Sequence, residues 1–298
     1  MGKPGASRRL IYQLLTVAAL LAAAAYLAHN TAQNLRLKGI PSGFDFLLEA
    51  SGFDIGDSLL PFTAGAPYWQ ALAAGLVNTL RVALPAMLAT TLLGTALGLG
   101  RLSRNFLLAG ICGAYVEFFR NIPLLLQLLA WYFVLTDLLP PQDEAWVAAG
   151  LTLSKSGLSL ADYASLTPEY LAVLAGLVFY SAAYFAETVR AGVCAVPLQQ
   201  KQAAAALGLT PGQTSRQVVL PQALRLILPP ATNQFLSLTK NSSLAIAVGY
   251  PDLVSVANTT LNQTGRAVEC VSLILLVYLS LSLVTSLLMG CLERRAAW

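Results

Sequence analysis

Lys240 is the residue of this sequence best suited to bind a charged ligand, because it lies inside a mainly apolar stretch that opens at Pro230. At a rise of about 1.5 Å per helical residue, the lysine lies about 15 Å beyond that proline, near the midplane of a bilayer. A charged side chain there costs about 2.5 to 3.5 kcal/mol and is expected to face a bundle interior or a wet cavity. The ammonium group can meet the carboxylate of a substrate, or it can bond backbone carbonyls and hold a bend or gate.

Further polar side chains accompany Lys240 on one helical stripe or directly beside it. They are Asn233, Ser237 and Asn241 on the stripe, and Ser242 and Ser243 beside it. A polar helix face within an apolar segment predicts either a substrate pathway or a gate, and both interpretations stay open.

The sequence contains no recognisable catalytic, metal-binding or nucleotide-binding set. The four cysteines form no Cys-x-x-Cys pair and His29 is the only histidine, so neither a disulfide framework nor a zinc site nor a Ser-His-Asp set is supported. The only Gly-Lys dipeptide is Gly2-Lys3, so the phosphate-binding loop of Walker A ATPases is absent. The net charge of +4 is not gathered into a basic patch, which argues against nucleic-acid binding.

The second candidate region is a polar, alanine-rich stretch from Leu198 to Pro221 that separates two apolar segments. Its first half, with four alanines over 203–206, predicts a short helix that stops at Gly208. A second helix has the expected N-cap, first-position proline and capping-box residue at Thr210, Pro211 and Gln213. Pro221 cannot donate a backbone hydrogen bond and begins a new segment. Two short helices that meet at a glycine suit insertion into a groove of another protein, and an ordinary cytoplasmic loop is the alternative.

This stretch carries a family resemblance in Gln202, Ala203, Ala204, Gly208, Leu220 and Pro221. These residues resemble the Glu-Ala-Ala loop of permease subunits in binding-protein-dependent ABC importers. Matches from Asn78 to the end of the chain are similar to the polar amino acid uptake permeases, above all to the branch that imports L-amino acids with broad specificity. Two positions depart from the motif, because the usual acidic residue is Gln202 and the preceding glycine is Gln199. The missing carboxylate weakens any salt bridge to an ATPase arginine.

The resemblance implies a permease subunit in the bacterial inner membrane, with residues of the loop coupled to a separate ABC ATPase. ATP is then used by that partner, and no cofactor is expected in this chain. A second permease subunit, in a homodimer or a heterodimer, and a periplasmic amino-acid-binding protein are the other implied partners. The alternative is an ion-coupled secondary transporter of small polar solutes, which would need intramembrane carboxylates, and the candidates are Glu117 and Glu187. A third hypothesis is a membrane scaffold without transport activity.

Composition sets the fold class independently of the motif. Hydrophobic residues make up 56% of the chain and charged residues 11%, and the mean hydropathy is +0.65. These values predict an all-α, polytopic membrane helical bundle. The resemblance adds a type I ABC importer permease-like arrangement. We expect about six transmembrane helices with both termini cytoplasmic.

The expected spans are 10–28, 67–100, 123–139, 167–192, 230–250 and 267–289. Most lysines and arginines then lie on the cytoplasmic side. Residues 1–69 form an N-terminal transmembrane helix and a periplasmic segment, and residues 70–298 form the permease transmembrane domain with a coupling loop at about 194–222. Arg81 is expected to snorkel to the outer interface.

The sequence also predicts the structure of several shorter segments. Thr90, Gly94 and Gly98 place small residues on one helix face, where a second helix can approach closely. An interfacial helix over 106–119 precedes the third span, the alternative being one kinked helix with a Glu117–Arg120 pair. The periplasmic segment 140–166 is expected to hold an amphipathic helix over 144–153, and a short loop with Asp252 leads into the sixth span.

Overall fold

The computed structural model describes residues 6–148, 150–160 and 164–296 of the chain. It confirms a bundle built mainly of helices. The α-helices are α1 (Ala6–Leu37), α2 (Tyr68–Gly100), α3 (Phe106–Asn121), α4 (Leu124–Phe133), α5 (Pro168–Cys194), α6 (Leu198–Ala206), α7 (Pro211–Thr214), α8 (Leu220–Asn241), α9 (Leu253–Thr264) and α10 (Ala267–Ala296). Short 3-10 helices cover Asp45–Leu48, Gln142–Glu144 and Ser242–Val248, and π-helical turns cover Val134–Leu138 and Ser215–Val219.

Four helices in the described part of the chain are long and apolar enough to cross a membrane: α1 from Arg9 onward, α2, α5 and α10. A fifth span is present if the bent pair of α3 and α4 counts as one. The expected limits of the second and fourth spans agree with α2 and α5 to within about two residues. The predicted total of six spans and the cytoplasmic placement of both termini stay predictions.

Helices α2 and α5 pack closely through the predicted small residues. Thr90, Gly94 and Gly98 are buried. A Cβ atom added at Gly94 would lie 2.8 Å from Cβ of Phe185, and one added at Gly98 would lie 2.6 Å from the carbonyl oxygen of Ala186. Glycine is therefore required at both positions for this helix approach. By contrast, no described side chain of α1 is buried.

The chain bends by 103° between Phe106–Asn121 and the following helix Leu124–Leu138. Gln127 holds the bend, since its Nε2 donates hydrogen bonds to the carbonyl oxygens of Phe119 at 2.8 Å and Ile122 at 2.9 Å. This shape agrees with the expected separate helix before the third span and not with one kinked helix. Among the described residues, Glu117 and Arg120 form no ion pair.

The expected amphipathic helix over 144–153 is wrong. This segment belongs to a four-stranded antiparallel sheet of order β1-β2-β3-β4, with β1 Trp146–Ala148, β2 Leu151–Ser154, β3 Gly157–Leu160 and β4 Ala164–Leu166. Apolar residues alternate along β2 and β3, which is the two-residue period of a strand. Gly157 has φ +105°, and a Cβ there would overlap the backbone of Leu166. The alternation and the glycine were the signals for strands.

The expected fifth span over 230–250 has no matching helix in the structure, and α8 is not among the described helices that are long and apolar enough to cross a membrane. Helix α8 begins at Leu220 and continues through Pro229 and Pro230 to Asn241, and a 3-10 helix over Ser242–Val248 follows. The two prolines lack the N–H groups that would bond the carbonyls of Arg225 and Leu226, and both of those residues are exposed. The helix nevertheless continues through both prolines. Pro221 does lie at the start of the helix, as predicted, directly after the π-helical turn Ser215–Val219.

The short loop expected after Asp252 is also wrong, because α9 occupies it. Asp252 caps this helix through a 2.8 Å hydrogen bond from the backbone N–H of Ser255 to its Oδ1, and Gly265 ends it with φ +69°. An aspartate N-cap and a glycine after the last turn are standard helix limits. The segment was expected to be a loop because it lies between two expected spans, although both helix limits are present in its sequence.

Arg81 is held by the protein rather than snorkelling. Its guanidinium lies 2.6 Å from Oδ1 of Asp57 and 4.8 Å above the ring of Tyr170. Oδ2 of Asp57 accepts a hydrogen bond from the hydroxyl of Thr167, the N-cap of α5. Asp57 thus joins the segment before α2 to both α2 and α5.

Candidate functional site

The helix pair α6–α7 has the geometry that its sequence predicts. Helix α6 ends at Ala206, and Gly208 follows with φ +81°, a left-handed conformation that favours glycine. Thr210 and Gln213 form the capping box, with Oε1 of Gln213 2.9 Å from the backbone nitrogen of Thr210. Local sequence alone therefore fixes the turn between the two helices.

The predicted coupling residues are mostly on the surface of this pair. Gln202, Ala203, Gly208, Leu220 and Pro221 are exposed, whereas Ala204 is buried. Two further leucines are exposed, Leu198 by 64% and Leu207 by 81%. A small helix pair with alanines on one side and two solvent-exposed leucines is suited to bind in a groove on another protein.

A contact that the sequence did not reveal ties the helix pair to α8. The side-chain amide Nε2 of Gln222 donates a hydrogen bond to Oε1 of Gln200 in α6, and a second one to the backbone oxygen of Val218 at 2.9 Å. The start of α8 and the helix pair are thereby joined by a direct polar contact. A displacement of α6 can be passed to α8 through this contact.

The polar residues predicted around Lys240 divide into two groups. Asn233, Ser237 and Lys240 are exposed on α8, while Asn241 and Ser243 are half-buried and Ser242 is buried. The hydroxyls of Ser242 and Ser243 each donate a 2.7 Å hydrogen bond to a backbone oxygen three residues earlier, at Thr239 and Lys240. The two serines therefore stabilise the change from α-helix to 3-10 helix.

The ammonium group of Lys240 contacts no acidic side chain among the described residues and bonds no backbone carbonyl there. An exposed cation on a helix surrounded by apolar spans requires either an aqueous passage or a polar partner. The exposed face defined by Asn233, Ser237 and Lys240 is called the polar face of α8 below.

A cavity of about 450 Å³ lies beside the polar face of α8. Its lining residues come from the end of α3, from α5 and the residue after it, and from α8: Arg120, Tyr184, Glu187, Thr188, Ala191, Gly192, Ala195, Leu226, Pro230 and Gln234. The Arg120 guanidinium lies 5.1 Å from the centre of the Tyr184 ring. In the described part of the chain Arg120 has no carboxylate partner, so its positive charge is available to a ligand in the cavity.

Glu187 is held in a structural ion cluster. Its carboxylate contacts the guanidinium groups of Arg190 in the same helix and of Arg101 at the end of α2. The second contact joins residues far apart in the chain and was not foreseen. A carboxylate shared by two arginines favours the ionised form, which is unsuited to carry protons. Glu117, the other candidate for ion coupling, is exposed on α3.

Apolar helices long enough to span a bilayer, an exposed helix pair and a polar helix face together define a component of a membrane transport system. The chain belongs to the family of binding-protein-dependent transport system inner membrane components, whose model matches residues 90–298. The family is one of transporter permeases, which is not an enzyme class.

Several relatives are similar over almost the whole chain. The general L-amino acid transport system permease protein AapQ of Rhizobium johnstonii is 37% identical over 97% of this chain and 92% of its own length. A putative amino-acid ABC transporter permease protein of Escherichia coli, YhdX, is 36% identical over 97% of this chain and 94% of its own length. Both relatives are named as permease proteins of amino acid transport, and the second as one of an ABC transporter, which confirms the family resemblance drawn from the loop residues.

Solved structures agree in fold. One chain from a crystal structure of an amino acid ABC transporter with histidines matches with a TM-score of 0.62, at 29% identity, over 76% of this chain and 95% of that chain. A chain of the MetNI methionine ABC transporter in an inward-facing conformation matches with a TM-score of 0.59 at 22% identity, over 76% of this chain and 97% of that chain, and supports the fold alone. The bundle is thus that of an ABC importer permease.

Proposed function

We propose that this chain is the permease subunit of an ATP-driven importer of amino acids, located in the bacterial inner membrane as a multi-pass protein. The observation that carries the proposal is the exposed helix pair α6–α7 within the matched family region, closed by Gly208 and tied to α8. Its partner is an ABC ATPase, which uses the ATP, so this chain requires no cofactor of its own. Similarity to permeases named for general L-amino acid transport supports amino acids as the cargo.

The coupling surface comprises Gln202, Ala203, Ala204, Gly208, Leu220 and Pro221. The exposed members, together with Leu207, insert into a groove of the ATPase, and the buried Ala204 lies in α6, which packs against α7 and the π-helical turn Ser215–Val219. Closure of the ATPases displaces the helix pair, and the Gln200–Gln222 contact passes the displacement to α8.

Residues 1–69 supply the N-terminal span and a periplasmic segment, and residues 70–298 form the transport domain.

The substrate passage runs along the polar face of α8, with Asn233, Ser237, Lys240 and Asn241 lining it and Ser242 and Ser243 setting the gate geometry. The neighbouring cavity supplies the Arg120 guanidinium, which suits the carboxylate that every amino acid carries. A periplasmic amino-acid-binding protein delivers the substrate. A second permease subunit covers the polar face, and the separate glutamate/aspartate import permease proteins GltJ and GltK among the relatives support a heterodimer.

The decisive experiment is affinity purification of the tagged chain in mild detergent, with identification of the chains that accompany it. Recovery of an ABC ATPase and a second permease supports the proposal. Recovery of neither, from cells in which both genes are expressed, contradicts it.

Gly208→Val tests the coupling role of the helix pair. Valine is strained at φ +81°, so α7 should be misdirected and ATP-driven uptake should fall about tenfold or more, a free-energy change of about 1.4 kcal/mol. Membrane insertion should be unchanged. The matched control is Gly212→Val, because this glycine lies in the same loop with open space around it and no left-handed backbone. Normal uptake by Gly208→Val would show that this turn does not couple.

A further inference from the structure

Asp252 is an acidic side chain buried where four elements meet. It is only 1% exposed, and its Oδ1 caps α9 while its Oδ2 has no hydrogen-bond partner among the described residues. It lies in the link between the 3-10 helix Ser242–Val248 and α9, outside the expected spans. An ionised carboxylate with one oxygen unpartnered in such a place is costly, whereas a protonated carboxyl group is not.

Tyr278 in α10 packs against the apolar cluster that contains Leu253, the residue after Asp252, and its hydroxyl lowers the pKa of the Asp252 carboxyl group as a hydrogen-bond donor. The tyrosine hydroxyl also lacks a hydrogen bond of normal geometry among the described residues. The hydroxyls of Thr79 and Ser242 have used their protons, since Thr79 donates to the Gly75 carbonyl at 3.0 Å and Ser242 to the Thr239 carbonyl at 2.7 Å. Thr79 Oγ1 also accepts a hydrogen bond from the backbone N–H of Leu253 at 3.1 Å. The acceptors left without a donor among the described residues are therefore Oδ2 of Asp252 and Oγ of Ser242, which the Tyr278 proton and a proton on Asp252 can fill.

The surrounding charges do not neutralise Asp252. In α2, the basic residue nearest to Thr79 along the chain is Arg81. Its guanidinium group is already paired with Oδ1 of Asp57 at 2.6 Å. Tyr250, in the same link, donates its own hydroxyl proton to the Asn78 carbonyl at 3.1 Å. From α10 the group that faces the carboxyl is Tyr278. In the described part of the chain no lysine, arginine or histidine pairs with Asp252.

We propose that Asp252 and Tyr278 form a proton-binding site inside the subunit, and that a proton held there docks α9 against α2 and α10. With the proton in place, the carboxyl group donates to the Tyr278 oxygen, and the tyrosine donates onward to the Ser242 oxygen. Loss of the proton leaves a buried negative charge with a single donor facing Oδ2. The elements joined at this site include the 3-10 helix that continues α8, so the site bears on the same helices as the proposed passage, although it does not depend on that function.

The sign of the pH effect follows from the burial. Burial raises the pKa of Asp252 to about 7, against the opposing effect of the backbone N–H groups at the start of α9. In the unfolded chain the same carboxyl group loses its proton at about pH 3.9. Between these values the folded state holds one proton more than the unfolded state, so stability falls as pH rises and levels off above about 7.

The test is thermal unfolding of the full-length chain, purified in detergent with its accompanying chains, from pH 5 to pH 8. The wild type should lose stability up to about pH 7, with the unfolding equilibrium shifting by up to about tenfold per pH unit. Asp252→Asn keeps the cap and cannot titrate, so that part of the pH dependence should disappear. Asp143→Asn removes an exposed aspartate and should leave the profile unchanged. An Asp252→Asn profile that matches the wild type overturns the proposal.

Tyr278→Phe provides an independent arm. The phenylalanine removes the donor that stabilises the ionised carboxylate, so the loss of stability should extend to higher pH than in the wild type. Infrared spectra of the wild type at pH 6 should also contain a buried carboxylic acid band that Asp252→Asn lacks. An unshifted profile in Tyr278→Phe removes the tyrosine from the site, and absence of the band in the wild type refutes the bound proton.

Discussion

Helices α5 and α8 flank the helix pair on either side, and they are stabilised in different ways. Helix α5 is buried along most of its length against α2, α4 and α8. Helix α8 buries few residues, contains three prolines, two of them in its interior, and is irregular at both ends, where a π-helical turn precedes it and a 3-10 helix follows it. The comparison shows that packing within the subunit stabilises α5. The polar side chains on the exposed face of α8 instead need hydrogen-bond or charge partners from outside the subunit.

The difference fits a division of roles. A helix interlocked with its neighbours resists displacement, because close-packed interfaces have discrete arrangements rather than continuous ones. Helix α8 packs against α5 and α10 on its apolar side, and its polar face stays exposed and is joined at its start to the helix pair. Substitutions in the α2–α5 interface should therefore affect stability, whereas substitutions on the exposed surface of α8 and the helix pair should affect transport and ATPase binding.

The largest effect is expected from Gly98→Leu, which disturbs the close packing between α2 and α5. A Cβ there would already lie 2.6 Å from the Ala186 carbonyl oxygen and 2.9 Å from Cβ of Val189. Leucine should force α2 and α5 apart and destabilise the subunit by about 1 to 3 kcal/mol or more. Thermal unfolding in detergent measures the loss. Gly290→Leu, on α10 with open space around its backbone, is the matched control and should be tolerated. Wild-type stability in Gly98→Leu would mean that the α2–α5 contact is not close.

The difference between α5 and α8 also explains which parts of the fold could be predicted from the sequence. The limits of α2 and α5 and the turn at Gly208 follow from local signals, namely caps, small residues at four-residue spacing and a left-handed glycine. The start of α8 was predicted too late because a proline favours the first turn of a helix and Pro230 was assigned to that position, whereas the helix continues through Pro229 and Pro230. The sheet over 146–166 and α9 were missed although local signals were present.

The candidate site was predictable only in part. The polar stripe and the coupling pair were visible because each lies within one continuous stretch of sequence. The Arg101–Glu187 contact, the Gln200–Gln222 contact and the cavity at Arg120 join separate stretches, and no periodicity in one stretch reveals them.

An intermediate effect is expected from Lys240→Met, which removes the charge from the polar face of α8 while keeping a long side chain. Transport should fall about tenfold or more, which corresponds to about 1.4 kcal/mol, while insertion and stability stay normal because the lysine is exposed. Lys155→Met, on an exposed turn of the sheet, is the control and should transport normally. Binding of a free amino acid to the solubilised complex then assigns the role: lost binding places a carboxylate at Lys240, and retained binding assigns the lysine to the gate. Normal transport would exclude both roles.

The smallest effect is expected from Gln202→Glu, which restores the acidic residue of the family motif on the exposed side of the coupling pair. A surface ion pair contributes about 0.2 to 1 kcal/mol, so affinity for the ATPase should rise by at most about fivefold. The gain should shrink as salt is added, because exposed charges are screened. Co-purification of the ATPase at low and high salt measures this, with Gln199→Glu, three residues earlier in α6, as the control for added charge alone. A marked loss of ATPase binding in Gln202→Glu would show that the loop docks by another chemistry, in which the neutral amide is required. A modest, salt-sensitive gain would instead show that shape holds the pair in its groove and that charge only adjusts the affinity.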